Sequence, residues 1–154
     1  LVPAIRKALG LDRRRLFCIV GLGRLGSAYL NYSEAGIAGE KAGLPGMPAR
    51  EEFELAAGFD SNVNRVEILK SRAPLYPAYK ILEVVSRLSI EIALLCVPAE
   101  SAQAAAEKLA LAGIRGILNF APAALKLPPE IAVRNVSAAD ELRALAAEIP
   151  ACGN

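Results

Sequence analysis

One short stretch constrains the fold of this chain more than any other. Residues 17–32 read FCIVGLGRLGSAYLNY, in which an apolar run ends at Gly21 and Gly23 and Gly26 complete the spacing G-x-G-x-x-G. Between a strand and a helix these glycines have separate tasks, because the first permits a tight turn, the second lets the backbone approach a pyrophosphate, and the third allows close helix packing. The stretch predicts a dinucleotide-binding turn; the alternative is a tight turn in a ligand-free α/β protein.

The rest of the chain alternates apolar runs with segments of helical spacing. The runs predict strands at residues 16–20, 53–59, 74–77, 91–97, 115–120 and 131–136. The spacing predicts helices at residues 2–9, 25–32, 78–88, 99–112 and 137–149, the last capped by Ser137. Residues 63–70 are expected to form a short helix or an irregular turn. Alternation of this kind indicates βαβ units. We therefore expect an α/β fold of a single domain, a Rossmann-like, doubly wound and mainly parallel sheet.

Composition narrows the classes of function. The chain has no histidine, which removes the commonest proton shuttle and metal ligand, so we expect no metal and no catalytic residues. Eighteen basic and sixteen acidic residues give a net charge of +2, too small to indicate a nucleic-acid surface. The three cysteines lack framework spacing and predict reduced thiols in a cytoplasmic protein. No apolar run reaches the roughly 20 residues of a membrane span.

Asp60 follows the second predicted strand and supports a dinucleotide site. An acidic residue at this place accepts hydrogen bonds from the adenosine ribose, and its charge opposes a 2′-phosphate, so the sequence favours NAD(H) over NADP(H). The number of residues between the glycine motif and Asp60 is nearly twice the usual value of about 20. A predicted surface loop at residues 33–50, with four glycines and two prolines, accounts for the excess. The alternative is an Asp that caps the end of the strand.

Two later loops complete the predicted site, because ligands of such sheets lie across the carboxyl ends of the strands. One contains Val97 and Pro98, and the other runs over residues 119–122. Neither offers an obvious acid, base or nucleophile. Glu100 stands in the first turn of a predicted helix, where a carboxylate is favourable for electrostatic reasons.

The sequence resembles the Rex family of redox-sensing transcriptional repressors, specifically their C-terminal NAD(H)-binding domain. Its second half carries the more specific motifs: residues 90–103 read IEIALLCVPAESAQ, residues 112–122 read AGIRGILNFAP, and residues 133–136 read VRNV. Together with the glycine stretch, the similarity covers nearly the whole chain. Rex proteins are homodimers in which a winged-helix domain binds operator DNA and NADH binding releases it.

The resemblance implies a set of cofactor contacts and a coupling mechanism. Pyrophosphate contacts are implied for the glycine turn, ribose contacts for Asp60, and nicotinamide contacts for the NFAP loop. The implied cofactor-binding residues are Gly21, Leu22, Gly23, Arg24, Leu25, Gly26, Asp60, Val97, Pro98, Asn119, Phe120, Ala121 and Pro122. Tyr32 and Ser137 occupy the family's sensing positions. The closing helix, residues 137–149, is the implied element swapped between the subunits of a homodimer.

Three departures from the family are visible. Residues 1–12 resemble the connector before the family's NAD(H)-binding domain, which we place at residues 13–150 with a tail at residues 151–154. The winged-helix domain is expected to be absent from this chain: either it was trimmed away, and operator DNA is bound only through it, or the protein never binds DNA. Ser137 replaces the family's acidic residue after R-N-V. The family's FDxDPxK pattern is here FDSNVNR, which keeps Asp60 and loses the second Asp.

Three functions remain after these observations. The favoured one is an NAD(H)-sensing regulatory domain without chemistry of its own. The second is a small NAD-dependent oxidoreductase, which the fold permits. The third is a CoA-binding domain, because some CoA ligases use a related domain with a glycine turn and a short V-P-A loop.

Overall fold

The computed structural model describes residues 4–5, 14–35 and 53–152. The strands are β1 (Arg15–Val20), β2 (Phe53–Asp60), β3 (Leu75–Pro77), β4 (Ile92–Leu95), β5 (Gly116–Asn119) and β6 (Ala132–Asn135). The helices are α1 (Arg24–Ala35), α2 (Val63–Ile68), α3 (Ile81–Leu88), α4 (Ala99–Leu111) and α5 (Ala138–Glu148), and a 3₁₀ turn, Ala78–Lys80, precedes α3.

The strands form one sheet in the order β3-β2-β1-β4-β5-β6, and every pair of neighbours is parallel. The chain moves outward from β1 to β3 and then returns to start β4 on the other side of β1. This reversal creates a crevice at the carboxyl ends of β1 and β4, the place where open α/β sheets bind ligands. The predicted doubly wound α/β fold is confirmed.

The central strand buries side chains on both faces of the sheet. Cys18 and Val20 of β1 belong to one apolar cluster, whereas Phe17 and Ile19 belong to another, and all four are almost inaccessible to water. Since successive side chains of a strand point to opposite faces, layers of apolar side chains cover both faces of the sheet. The apolar run of β1 therefore places the glycine turn at the carboxyl end of a strand that is buried on both faces.

Helices α3 and α4 cover the first face. Ile81, Val84 and Val85 give α3 a buried stripe, and Ala102, Ala106 and Leu109 do the same for α4. These spacings of three and four residues bring side chains to one side of a helix. Helix α4 ends as predicted, because Gly113 follows it with a φ of +96°, in the left-handed region that glycine adopts without strain.

Several predicted boundaries were too long at the carboxyl edge. The fourth strand ends at Leu95 rather than at residue 97, because its partner β1 ends at Val20 and the chain then turns away. The fifth strand ends at Asn119, which pairs with Leu95. The residues that follow, including Val97, are thereby released from the sheet to form the loops of the crevice.

The first helix after the glycines is longer than predicted. It continues to Ala35 and so includes the first three residues of the predicted loop at 33–50. The rest of that loop lies outside the described residues. Of the predicted helix at 2–9 only Ala4 and Ile5 are described, and both are helical. Within the described residues no helix is long and apolar enough to cross a membrane.

Replacing Leu109 with alanine tests the packing of α4 on the sheet. The side chain is fully buried, so the Leu109→Ala substitution should lower the free energy of unfolding by about 2–5 kcal/mol through lost burial and a residual cavity. Leu111 lies two residues away on the same helix with 79% of its surface exposed. The matched Leu111→Ala substitution should change the unfolding energy by less than about 0.5 kcal/mol. Equal effects in urea denaturation would contradict this assignment of the buried face.

Candidate functional site

Gly21 forms a tight turn directly after β1, between the carboxyl ends of the neighbouring strands β2 and β4. Its φ is +94°, and its N–H donates to the carbonyl oxygen of Phe59 in β2 over 2.8 Å. A side chain here would fall against the carbonyl group of Cys96 and within 2.9 Å of Val97 Cγ1. Both the backbone angle and the space therefore require glycine, as the sequence predicted for the first position of the motif.

Gly26 lets α1 approach this turn. A Cβ on Gly26 would collide with the carbonyl group of Gly21, so only a hydrogen at this position allows the first turn of the helix to rest on the strand end. The N–H of Ser27 donates to the carbonyl oxygen of Gly23 over 2.9 Å and begins the helical hydrogen bonding. The helix N-terminus is consequently fixed at the crevice.

Gly23 faces open space, unlike the other two glycines. The nearest atom to an added Cβ would be Arg65 Nη1 at 3.8 Å. Arg24 and Leu25 follow in the first turn of α1 and are exposed, and that turn holds no acidic residue. Free N–H groups and the positive end of the helix dipole make such a place suitable for an anion. This is the part of the motif that can receive a pyrophosphate.

Asp60 is tied into the chain itself. Its side chain is 4% exposed, and Oδ2 accepts a hydrogen bond from the N–H of Leu22 over 2.7 Å. Oδ1 accepts another from the N–H of Asn62 over 2.7 Å, and Arg65 Nη1 lies 3.4 Å from Oδ2. The carboxylate therefore holds the glycine turn against the end of β2. The sequence placed Asp60 correctly at this edge but gave no indication of these contacts.

A groove of about 320 Å³ opens between α1 and α2, beside Gly23. Its wall includes Arg24 and Ser27 from α1 and Arg65 and Ile68 from α2. Sequence reasoning assigned no role to Arg65. The sequence does contain one indication of this contact, a basic residue five positions after Asp60. When the intervening chain forms a short helix, that residue can reach the Asp60 carboxylate.

The loops after β4 and β5 form the other side of the crevice. Val97 is half-buried, and Pro98 is exposed at the N-cap of α4. Asn119 is buried and organises the NFAP loop through its side chain. Its Oδ1 accepts from the N–H of Ala121, and its Nδ2 donates to the carbonyl oxygen of Ala123 and to Asn135 Oδ1, each over 3.0 Å.

Ring contacts join the NFAP loop to α1. The rings of Tyr29 and Phe120 have centroids 5.1 Å apart and are tilted by 43°. Burial is the larger of two causes that raise the pKa of Tyr29, and the nearby Cys96 is the smaller one. Burial raises the pKa of Cys96 to about 12, which keeps this thiol protonated and weakly nucleophilic at neutral pH. This side of the crevice is thus neutral and partly aromatic.

The other residues that the sequence predicted for the site lie in several parts of the fold. Pro122 is exposed and Ala121 is buried in the NFAP loop. Tyr32 lies in α1, and its side chain is outside the described residues. Ser137 is the N-cap of α5, as predicted, with Oγ accepting from the N–H of Asp140 over 3.2 Å. It follows β6, the third strand from β1, so the structure does not gather it with the glycine turn.

The described residues contain no group of three or more Cys, Asp or Glu side chains able to hold a metal ion. Glu100 is exposed in the first turn of α4, consistent with its structural interpretation. The described crevice presents backbone N–H groups, two arginines and apolar or aromatic surface. Such an arrangement can bind and orient a dinucleotide.

A parallel sheet with a glycine turn at its switch point defines a Rossmann-type nucleotide-binding domain. The chain belongs to the CoA binding domain family, whose model matches residues 35–123. It is also similar to redox-sensing transcriptional repressors named Rex. The protein from Thermus thermophilus is 41% identical over 86% of this chain and 56% of its own length. Rex 1 from Enterococcus faecalis is 34% identical over 94% of this chain and 61% of its own length.

Solved structures give the same relationship. The crystal structure of RSP, a Rex-family repressor, in complex with β-NAD⁺ and operator DNA has a TM-score of 0.74 and 31% identity, covering 95% of this chain and 61% of that chain. The structure of RSP with β-NADH has a TM-score of 0.73 and 29% identity, covering 95% and 65%. The resemblance to Rex is confirmed, and this chain spans less than two thirds of the length of these proteins.

A Gly26→Ala substitution tests the approach of α1 to the turn. The added methyl group has to displace the Gly21 carbonyl or the helix, so it should lower the free energy of unfolding by about 1–3 kcal/mol in denaturant titrations. Gly116→Ala is the control, because a Cβ there meets its nearest neighbour, the Ala132 carbonyl oxygen, at 3.7 Å. Its expected effect is within about 0.5 kcal/mol. A destabilisation by Gly116→Ala as large as that by Gly26→Ala would refute this account of the turn.

Proposed function

We propose that this chain is the NAD(H)-binding sensor domain of a redox-responsive transcriptional repressor. The observation that carries the proposal is the similarity to Rex proteins over 86–95% of the chain, together with a glycine turn of the required geometry. The solved relatives were crystallised with β-NAD⁺ and operator DNA and with β-NADH. The same ligands are therefore the first candidates for this crevice.

The residues of the turn fit a dinucleotide in three respects. Gly23 leaves the surface open, α1 directs its N-terminus to the crevice, and no acidic side chain stands in the first turn of that helix. In the proposed complex the backbone N–H groups of Gly23, Arg24 and Leu25 bind the pyrophosphate. Gly21, Leu22 and Gly26 shape the turn that presents them, and Asp60 holds this turn in place and remains near the adenosine ribose.

The nicotinamide half lies against the other loops in this proposal. Val97 and Pro98 form one wall, and the NFAP loop, residues 119–122, forms the second. NAD(H) supplies the redox-active ring, whose oxidation state is the signal. Phe120 and Tyr29 supply aromatic surface beside it, and the hydrogen bonds of Asn119 hold the loop in one conformation.

We propose a sensor rather than an enzyme. The Rex relatives are repressors, and the chain lacks histidine, the commonest proton shuttle of enzymes. Residues 13–150 constitute the proposed sensor domain, residues 1–12 its connector and residues 151–154 its tail. Operator DNA is bound through an N-terminal winged-helix domain, and Tyr32 and Ser137 take part in coupling it to the cofactor.

CoA is a second candidate ligand, favoured by the family model that matches residues 35–123. CoA shares an adenosine and a pyrophosphate with NAD(H), so the glycine turn alone does not distinguish them. Its long pantetheine arm has no nicotinamide ring to place against Phe120.

Calorimetry with the 154-residue chain tests the proposed function. We expect NADH to bind, more tightly than NAD⁺, and neither to be consumed. Gly23→Val should weaken NADH binding by about tenfold or more, because a branched side chain blocks the backbone approach. The melting temperature should remain unchanged, because the space at Gly23 is open.

Ala104→Val is the control, since it adds the same side chain to the exposed face of α4. Failure of both dinucleotides to bind would exclude the proposal. Displacement of NADH by lower concentrations of CoA would select the second candidate.

Helix α5 supports the further proposal of a homodimer. All of its residues are exposed, and the apolar residues Leu142, Leu145 and Ile149, which directly follows the helix, are 64%, 52% and 59% exposed. On the α1 side of the sheet, Ile92 and Leu118 are only half-buried. We propose that α5 of one protomer covers this region in its partner, which would bury both apolar surfaces.

A charge on the apolar side of α5 should prevent dimerisation. We expect light scattering to give twice the monomer mass of 16.2 kDa for the unaltered chain and the monomer mass for a Leu142→Glu, Leu145→Glu variant. Ala144→Glu is the matched control, because position 144 lies about 200° around the helix from Leu142. A monomeric unaltered chain, or loss of the dimer in the control, would contradict the proposal.

A further inference from the structure

Three side chains form a surface beside the glycine turn, which we call the neutral surface. They are Tyr29 on α1, Cys96 after β4 and Phe120 after β5, and all three pack against the buried apolar cluster that includes Ile19 of β1. The ring centroids of Tyr29 and Phe120 are 5.1 Å apart, and the carbonyl group of Cys96 lies directly against Gly21. Each of the three side chains is half-buried, so part of its surface remains accessible.

The neutral surface carries no ionised group. Burial raises the pKa of Tyr29 above its usual value and that of Cys96 to about 12, so both side chains are uncharged at neutral pH. The two loops that end at this surface, residues 96–98 and 119–122, contain no charged side chain. Asp60 lies on the other side of β1, at the end of β2. The two sides of the glycine turn therefore differ in charge.

This asymmetry determines which half of a dinucleotide faces the neutral surface. In domains of this class the pyrophosphate lies at the glycine turn, and the adenosine ribose lies at the acidic residue that ends the second strand. That residue is Asp60. With the pyrophosphate at Gly23, the other half of the dinucleotide extends towards β4 and β5, where the neutral surface lies.

The nicotinamide ring carries a positive charge in NAD⁺ and no charge in NADH. A neutral surface favours the reduced ring, because the charged ring loses water there without gaining an opposite charge. An aromatic face offsets part of this cost, since the quadrupole of the ring attracts a cation. Tyr29 and Phe120 bring two such rings to the neutral surface.

We propose that Tyr29, together with Phe120, determines how strongly this chain distinguishes the two redox states of the cofactor, by stabilising the positively charged ring of NAD⁺. The inference rests on the proposed NAD(H)-binding function and concerns the nicotinamide end of the same site. The preference for NADH is retained, but it is smaller than an aliphatic side chain at position 29 would make it. Tyr29 thereby sets the ratio of NADH to NAD⁺ at which the domain exchanges one form for the other.

Calorimetric titration of the 154-residue chain with NAD⁺, NADH and ADP-ribose tests this inference. ADP-ribose retains the adenosine and the pyrophosphate but has no nicotinamide ring. Tyr29→Leu should raise the dissociation constant of NAD⁺, relative to that of NADH, by about threefold to tenfold through loss of a cation–π contact. It should leave ADP-ribose binding unchanged. Tyr29→Phe should retain the ratio of the unaltered chain, because the aromatic face remains.

Tyr29→Trp provides a second readout that does not depend on the stability of Tyr29→Leu. Trp is the aromatic side chain that binds cations best, so the preference for NADH should become no larger than in the unaltered chain. The chain has no Trp of its own, so the fluorescence of this variant reports on position 29 alone. NAD⁺ should quench that fluorescence, and ADP-ribose should not.

Tyr79→Leu is the matched control, because it makes the same substitution outside the crevice. Tyr79 is 75% exposed in the 3₁₀ turn after β3, and β2 separates that strand from β1. The ratio of the two dissociation constants should not change in this variant. A change as large as that caused by Tyr29→Leu would contradict the assignment to position 29.

The outcomes separate this inference from the proposed function. An unchanged ratio in Tyr29→Leu, or an equal loss of NAD⁺ and ADP-ribose binding, would overturn the inference and leave the sensor proposal intact. Quenching of Tyr29→Trp by ADP-ribose as strong as that by NAD⁺ would also overturn the inference. Failure of NAD⁺ and NADH to bind the unaltered chain would overturn the sensor proposal itself, and the inference with it.

Discussion

The hydrogen bond from the N–H of Leu22 to Asp60 Oδ2 is the interaction on which the crevice depends. It joins the glycine turn after β1 to the end of β2, while the N–H of Gly21 reaches the Phe59 carbonyl and that of Cys96 reaches the Val20 carbonyl. Three adjacent strand ends are thus connected across the switch point. A buried carboxylate that accepts two backbone N–H groups is a stable way to close such a turn. The fixed position of α1 follows from this closure.

The fold was predictable because it depends on local patterns. Apolar runs such as residues 16–20, glycines at turns and the Ser137 cap each act within a few residues, and the structure has all of them. The boundaries were less accurate, since the end of β4 is set by the end of its partner β1 rather than by its own sequence. The extension of α1 to Ala35 likewise exceeded what its residues indicated.

The candidate site was predictable as a set of positions but not as a set of contacts. Gly21, Gly26 and Asp60 lie where the motif placed them. The sequence does not reveal that the carboxylate oxygens of Asp60 accept hydrogen bonds from within the chain. Two of the donors are a backbone N–H 38 residues away and an arginine on the next helix. Gln103 of α4 also forms hydrogen bonds with the backbone N–H and carbonyl of Lys126, four residues after the NFAP loop, and these contacts were not predictable from the sequence.

Hydrogen bonds of Asn119 connect the NFAP loop to β6, the strand at one edge of the sheet. Its side chain bonds to Asn135 in β6, and its carbonyl oxygen accepts from the N–H of Val136, the residue directly before the cap of α5. The NFAP loop and the segment that leads into α5 are consequently both connected to the buried residue Asn119. Moving either the NFAP loop or the start of α5 alone would therefore stretch or break these hydrogen bonds.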